Sequence, residues 1–318
     1  MQKNGNIGLG TAAIGRPLYI NVRQENPEAF SLPRFRESGL QVLEDAYGKG
    51  IRFFDTAPGY GIAEELLVAW LAKKNDPTIR ASTKWGYTYV ADFNPNAMTH
   101  EVKEHSVDKL MQQWEFSKML LPYLKIYQIH SATLDTGVLN NQGILKLLHQ
   151  IKKEHNIIIG LATTGSNQVE VINKALSIAI ENEKLFQSFQ CTFNILDQSI
   201  LALKNTLSNA NVEFIIKEAL ANGRLIPNKL FNRYQKLYNF LMTLAVKYKV
   251  GVDAIALRYC IDCFPNAIVL SGAKNCTHLS ANLKAQQFSL NQAEIEQLRS
   301  MNIHSRDYWE ERAQLSWN

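Results

Sequence analysis

Four cysteines in 318 residues are too few for a disulfide scaffold, and that scarcity favours a reducing compartment. No apolar run approaches the roughly 18 to 20 residues needed to cross a bilayer. The opening MQKNGNIGLG lacks the apolar stretch of a secretory leader, so a cytoplasmic location is expected. Charge of one sign is scarce too. The 34 Lys+Arg stand against 29 Asp+Glu, and a net +5 suits a phosphate-bearing ligand without arguing for nucleic acid. The seven histidines form no HExxH pattern, and no P-loop is present. Cys260 and Cys263 have metal-ligand spacing but no second pair, so they read as core packing and no metal site is expected. Gly8-Leu9-Gly10-Thr11-Ala12-Ala13 fits a loose dinucleotide fingerprint. That motif needs a helix at once, and Gly15, Pro17 and Pro27 argue that none starts there.

What is present is an apolar fraction of 46% arranged in alternation. Short apolar runs at Ile7–Gly10, Arg52–Asp55, Ile79–Lys84, Leu124–His130, Ile157–Thr163, Phe186–Phe193, Val212–Lys217 and Ala267–Leu270 read as strands covered on both faces. Helical periods lie between them at Glu37–Lys49, Ala63–Lys74, Thr99–Leu120, Asn167–Ile180, Phe231–Tyr248, Asp253–Cys263 and Thr277–Ala285. Thr99 reads as the N-cap of the third of these, with Glu101 in its first turn. Eight alternations without hairpin signals predict α/β architecture, a closed (β/α)8 barrel of parallel strands. The whole of 1–318 then forms one domain, with a core over about 6–300 and a tail from 301. Three stretches read as irregular: Ile14–Arg36, Trp85–Met98 and Asn302–Asn318.

In such a barrel chemistry collects at the C-terminal ends of strands. Those ends carry Asp55, Lys84 and His130, and Tyr60 follows Asp55 by one short loop. A phenol near pKa 10 donates poorly at neutral pH. A neighbouring ammonium would lower that value, and a carboxylate would hold the ammonium in place. A His across the pocket can orient a carbonyl oxygen. The set suits carbonyl reduction, with the hydride drawn from a cofactor because no side chain supplies one.

The segments GIRFFDTAPGYG, ASTKWG and YLKIYQIHS resemble the aldo-keto reductases, and FQCTFNILD, IIKEALANGRL and IVLSGAKNCTHLSANL resemble later parts of that barrel. The resemblance implies NADP(H)-dependent reduction of an aldehyde or ketone, or the reverse oxidation of an alcohol or sugar. It makes Tyr60 the general acid, tuned by Lys84 and Asp55, with His130 orienting a small-molecule substrate between Tyr60 and Trp85. It also implies cofactor contacts from Gly10, Thr11, Asp55, Thr163, Gln190, Lys217, Leu220, Gly223, Ser271, Gly272, Lys274, His278 and Asn282. Lys217 stands where the family often stacks an aromatic ring on the nicotinamide. Lys274, ahead of a helix start, suits a 2′-phosphate and hence NADP(H) over NAD(H). A nucleotide-sensing subunit on the same barrel is the rival reading. Trp309 and Trp317 either close an apolar pocket or pack the tail against the wall.

Overall fold

Runs that are apolar throughout can be buried only if both faces of the sheet are covered. In the computed structural model, which describes residues 6–20, 30–94 and 96–317, they are. The strands are β1 (Asn6–Gly10), β2 (Phe53–Asp55), β3 (Arg80–Trp85), β4 (Leu124–Ala132), β5 (Ile158–Thr163), β6 (Phe186–Thr192), β7 (Glu213–Lys217) and β8 (Ile268–Ser271). Each pairs in parallel with its neighbours in chain order, and β8 closes on β1.

The helices that cover them are α1 (Leu32–Gly48), α2 (Ala63–Leu71), α3 (Val107–Ser117), α4 (Gln142–His155), α5 (Gln168–Ser177), α6 (Gln235–Tyr248), α7 (Val252–Cys263), α8 (Cys276–Leu283), α9 (Gln292–Arg299) and α10 (Ser305–Ala313). Cys260 and Cys263 lie buried within α7. Among the described residues no helix is long and apolar enough to cross a membrane.

Strand side chains alternate between the barrel interior and the helical layer. Phe53, Ile126, Ile158, Ile215, Ile268 and Leu270 form a separate apolar cluster. Beneath it the first residues of β3 and β7, Arg80 and Glu213, form an ion pair. The interior is therefore apolar through its middle, with the Arg80–Glu213 pair below and a second polar group at its upper end.

Several elements differ from expectation. The helix expected from Thr99 begins at Val107, because Ser106 rather than Thr99 caps it, its hydroxyl accepting the Lys109 N–H at 3.0 Å. Glu101–Lys103 instead pairs with Tyr87–Tyr89 in an antiparallel hairpin over the mouth. A second hairpin, Ala179–Ile180 with Glu183–Lys184, replaces the end of the helix expected to reach Ile180. One helical turn does form at Ala12–Gly15, where none was expected. The Arg16 backbone leaves the helix at φ −141°, so the turn cannot extend into a Rossmann-type helix. Finally, the tail is helical: Ser305–Ala313 packs Tyr308 wholly into the core.

Candidate active site

The polar upper end of the barrel is built by period two. Lys84 and Ser82 share one face of β3, and His130 and Gln128 share one face of β4. Asp55, at the end of β2, is the common acceptor. It takes hydrogen bonds from Lys84 Nζ at 2.6 Å, Gln190 Nε2 at 2.9 Å, Gln128 Nε2 at 3.5 Å and Ser82 Oγ. Lys84 Nζ also donates to the main-chain oxygen of Thr56 at 2.9 Å. Neither side chain of the ion pair is more than 3% exposed.

Tyr60 meets this pair from above. Lys84 Nζ lies 4.9 Å from the Tyr60 ring centre, and the His130 ring stands edge-on to Tyr60 at 5.4 Å. Tyr87 packs on the other side of His130 at 4.7 Å. Asp55, Lys84 and His130 at strand ends and Tyr60 from the loop after β2 are thus gathered in one group, in which His130 alone is half-buried.

The electrostatics differ from expectation. The Tyr60 hydroxyl is pushed well above the ordinary phenol range, first by burial and then by the Asp55 carboxylate. Lys84 was expected to lower it, but its charge is matched by Asp55 at 2.6 Å. Arg16 pulls in the lowering direction instead. His130 is held neutral, because burial and then the Lys84 and Arg16 charges drive its pKa well below the imidazole range.

Across the mouth, β7 ends in Lys217, whose Nζ donates to Thr192 Oγ1 at 2.9 Å and lies 3.7 Å from Glu218. Glu218 accepts from Arg312 of α10 at 2.7 Å and from the Tyr308 hydroxyl at 3.1 Å. Burial alone would raise the Glu218 carboxyl, but Arg312 and Lys217 outweigh it and hold the group well below the carboxylate range. Burial lowers Lys217. The Trp309 ring lies 5.6 Å from Lys217 Nζ, and its indole N–H donates to Asp197 at 3.1 Å. Trp317 reaches over the mouth: it stacks on His100 at 4.3 Å, lies 4.9 Å from the Arg16 guanidinium and bridges Ile20. Trp309 therefore fastens the tail, and Trp317 covers the entrance.

The other expected contacts fall into three groups. Gly10 ends β1 and the Thr11 hydroxyl donates to the Asp55 main-chain oxygen at 3.0 Å, beside the ion pair. Gln190 belongs to the Asp55 cluster. Leu220 and Gly223 lie in the loop after β7, where Glu218, Ala221, Asn222 and Gly223 all take positive φ of 58°, 48°, 57° and 85°. At the end of β8, Ser271 accepts from Asn282 Nδ2 at 2.8 Å, Gly272 and His278 are exposed, and Lys274 is half-buried just before Asn275, which caps α8.

Two expectations are not met. Trp85 follows Lys84 directly and therefore faces the helical layer, where it is wholly buried against His105. It does not border the substrate space; Tyr87 stands beside His130 instead. Thr163 likewise faces outward, wholly buried with its hydroxyl donating to Gln168 of α5 at 3.1 Å, which leaves it no free donor toward the mouth.

Residues that sequence reasoning missed are Arg16, Ser82, Tyr87, Gln128, Glu101, Glu218 and Arg312. Ser82 and Gln128 had a signal, because each is a polar residue two places before a functional one in a buried strand. Glu218 and Arg312, 94 residues apart, had none.

A dinucleotide fits the residues along this rim. Among the described residues the buried Asn222 side-chain oxygen has no partner, an acceptor that a ribose hydroxyl or a carboxamide could satisfy. Lys274, just before the capped start of α8, suits a phosphate group.

A sequence model of the Aldo/keto reductase family matches residues 6–303. The chain is 22% identical over 318 residues to the NADH-specific methylglyoxal reductase of Escherichia coli (strain K12), covering 93% of this chain and 94% of that one. It is 21% identical over 289 residues to an aryl-alcohol dehydrogenase of Pestalotiopsis microspora, covering 83% and 72%. Among solved structures, a glycerol dehydrogenase from Gluconobacter oxydans aligns with a TM-score of 0.71 at 20% identity, covering 93% and 90%. An aldo-keto reductase from Bacillus halodurans, in its holo form, aligns with a TM-score of 0.67 at 17% identity, covering 93% and 91%. With a closed eightfold barrel and a family match over nearly its whole length, this chain belongs to the aldo/keto reductase family of nicotinamide-dependent oxidoreductases.

Proposed function

We propose that the protein reduces a small aldehyde or ketone to its alcohol with NADP(H), and that Tyr60 is the acid. The observation that carries this reading is the group formed by Tyr60, His130 and the buried Lys84–Asp55 pair, with Lys84 4.9 Å and His130 5.4 Å from the Tyr60 ring. The nicotinamide, when bound, supplies the hydride. Neutral His130 donates a hydrogen bond to the substrate oxygen and orients it. Tyr60 delivers the proton to that oxygen. Lys84, fixed by Asp55, stands by to favour the phenolate left behind. Trp317 limits water at the entrance. Oxidation of an alcohol or sugar uses the same groups in reverse, with direction set by the cofactor ratio.

Tyr60→Phe tests the acid directly. Turnover falls by about 10²- to 10⁴-fold, the usual contribution of a positioned proton donor. Nucleotide affinity, read from quenching of protein fluorescence, stays within about twofold of the parent, since the change removes one oxygen from a group assigned to proton transfer. Full activity in that variant overturns the assignment. For the cofactor, Lys274 before the capped start of α8 supports preference for the 2′-phosphate over the NADH of the Escherichia coli relative. The kcat/KM for NADPH exceeds that for NADH by about tenfold or more, the scale of one charge-assisted contact. Equal values count against it.

A further inference from the structure

The Tyr60 acid needs a cation, and Lys84 is tied to Asp55 at 2.6 Å and to the Thr56 carbonyl at 2.9 Å. A second cation stands against the same ring. The Arg16 guanidinium carbon lies 5.3 Å from the Tyr60 ring centre, 4.8 Å from Tyr19 and 4.9 Å from Trp317, and Arg16 is only 3% exposed. Its Nη1 donates to the main-chain oxygen of Gly59, the residue before Tyr60, at 3.2 Å, and to Glu101 Oε2 at 2.6 Å.

Two glycines fix where this cation sits. A side chain on Gly15 would place its Cβ 2.1 Å from the Tyr60 carbonyl oxygen, and one on Gly61 would come within 2.4 Å of the Gly15 oxygen. The Ile62 N–H donates to that same Gly15 oxygen at 2.9 Å. The loop after β1 and the loop carrying Tyr60 are thus pressed backbone to backbone. Arg16 projects from the point of contact.

We propose that Arg16 is a positioning residue for the reaction: it anchors the Tyr60 loop through the Gly59 carbonyl and supplies the charge that offsets a Tyr60 phenolate. The inference rests on the reading of Tyr60 as the acid. It is a role for a residue that neither the strand-end pattern nor the resemblance assigned. Lys84 and Arg16 differ in their countercharges. Asp55 is buried inside the barrel and itself disfavours a phenolate, whereas Glu101 is about one-quarter exposed at the hairpin edge, where water screens it. The proton affinity of Tyr60 agrees in direction, with burial and Asp55 raising it and Arg16 lowering it. Of the other groups facing Tyr60, Glu101 and Glu218 act as Asp55 does, in the raising direction, while Lys84 is matched by Asp55 and His130 is neutral.

The test is the pH profile of alcohol oxidation, where the phenolate is the active form. In Arg16→Met the limb that reports Tyr60 moves up by about one unit, so oxidation at neutral pH falls about tenfold. Arg16→Lys, which keeps the charge and loses the fork, recovers most of that shift. Glu101→Gln, which removes the countercharge and keeps Arg16, moves the same limb the opposite way. Thermal unfolding confirms that each variant is folded, and nucleotide affinity by fluorescence stays unchanged. If the limb stays in place in all three, or if only KM for the substrate rises, the role assigned to Arg16 is wrong. Tyr60→Phe run in parallel separates the two claims: an active Tyr60→Phe removes the acid, whereas an inactive one with unmoved Arg16 profiles removes only the positioning role.

Discussion

The two sides of the barrel mouth hold their charges by different means. On the β2–β4 side, Lys84 and Asp55 come from adjacent strands, and their meeting is dictated by the register of the sheet, in which Asp55 lies opposite Ser82. On the β7 side, Lys217 and Glu218 are neighbours in sequence, and the pair is completed by Arg312 from the tail helix. The first arrangement is as rigid as the barrel itself. The second lasts only while α10 stays docked. One rim thus combines an ion pair fixed by strand register with another whose geometry depends on the tail helix.

After Tyr60→Phe, the largest expected effect comes from cutting that second arrangement. Arg312→Ala leaves the buried Glu218 carboxylate with the Lys217 ammonium and the Thr192 and Tyr308 hydroxyls, and losing one charged partner of a buried pair costs about 3 kcal/mol or more. Urea unfolding measures this. Arg306→Ala, on the same helix but 75% exposed, serves as the control and stays within about 0.5 kcal/mol. Equal effects from the two would show that docking of α10 does not depend on the Glu218 pair.

The next effect sharpens the rigid side. Glu64, behind β3, is hydrogen-bonded by Thr83 and by Ser117 Oγ at 3.0 Å, and burial pushes its carboxyl up to about 7. A carboxyl raised in the folded state binds a proton there that the unfolded chain has already lost. Stability therefore declines as pH rises from about 4.5 to about 7 and levels off above it, by about 3 kcal/mol in total from this group. Glu64→Gln removes that slope, which Tm measured across pH reads out. An unchanged slope refutes the assignment. Smallest is Trp85→Phe. Its indole N–H has no partner and its ring faces the helical layer, so kcat/KM stays within about twofold while stability drops by about 1 kcal/mol of lost packing. A changed substrate range would return Trp85 to the pocket.

Most of the barrel was legible because its strands are apolar on both faces and therefore announce themselves without alternation. Asp55, Lys84 and His130 were legible for the related reason that they break such runs at their ends. Helix α4 passed unread although Ile144, Leu145, Leu148 and Ile151 mark its buried face and Asn141 its cap. Thr99 misled because Thr-x-Glu looks like a cap wherever it occurs. Only the hairpin partner at Tyr87–Tyr89 assigns Glu101 to a strand. Trp85 and Thr163 were misplaced by one residue of parity, since proximity in sequence to Lys84 or to the mouth says nothing about which face a strand residue takes. Arg16 and Arg312 were out of reach, because their partners lie 85 and 94 residues away and no local pattern encodes them.

The apolar cluster of Phe53, Ile126, Ile158, Ile215, Ile268 and Leu270 makes the barrel a vessel with one opening. Among the described residues this layer stands between the Arg80–Glu213 pair at the floor and the Lys84–Asp55 pair above it. Above the pair, the group opens toward the mouth, where the Arg16 guanidinium lies between the Tyr60 and Trp317 rings. On the proposed reading of Tyr60 as the acid, the cover over that group is also the gate through which the acid is recharged.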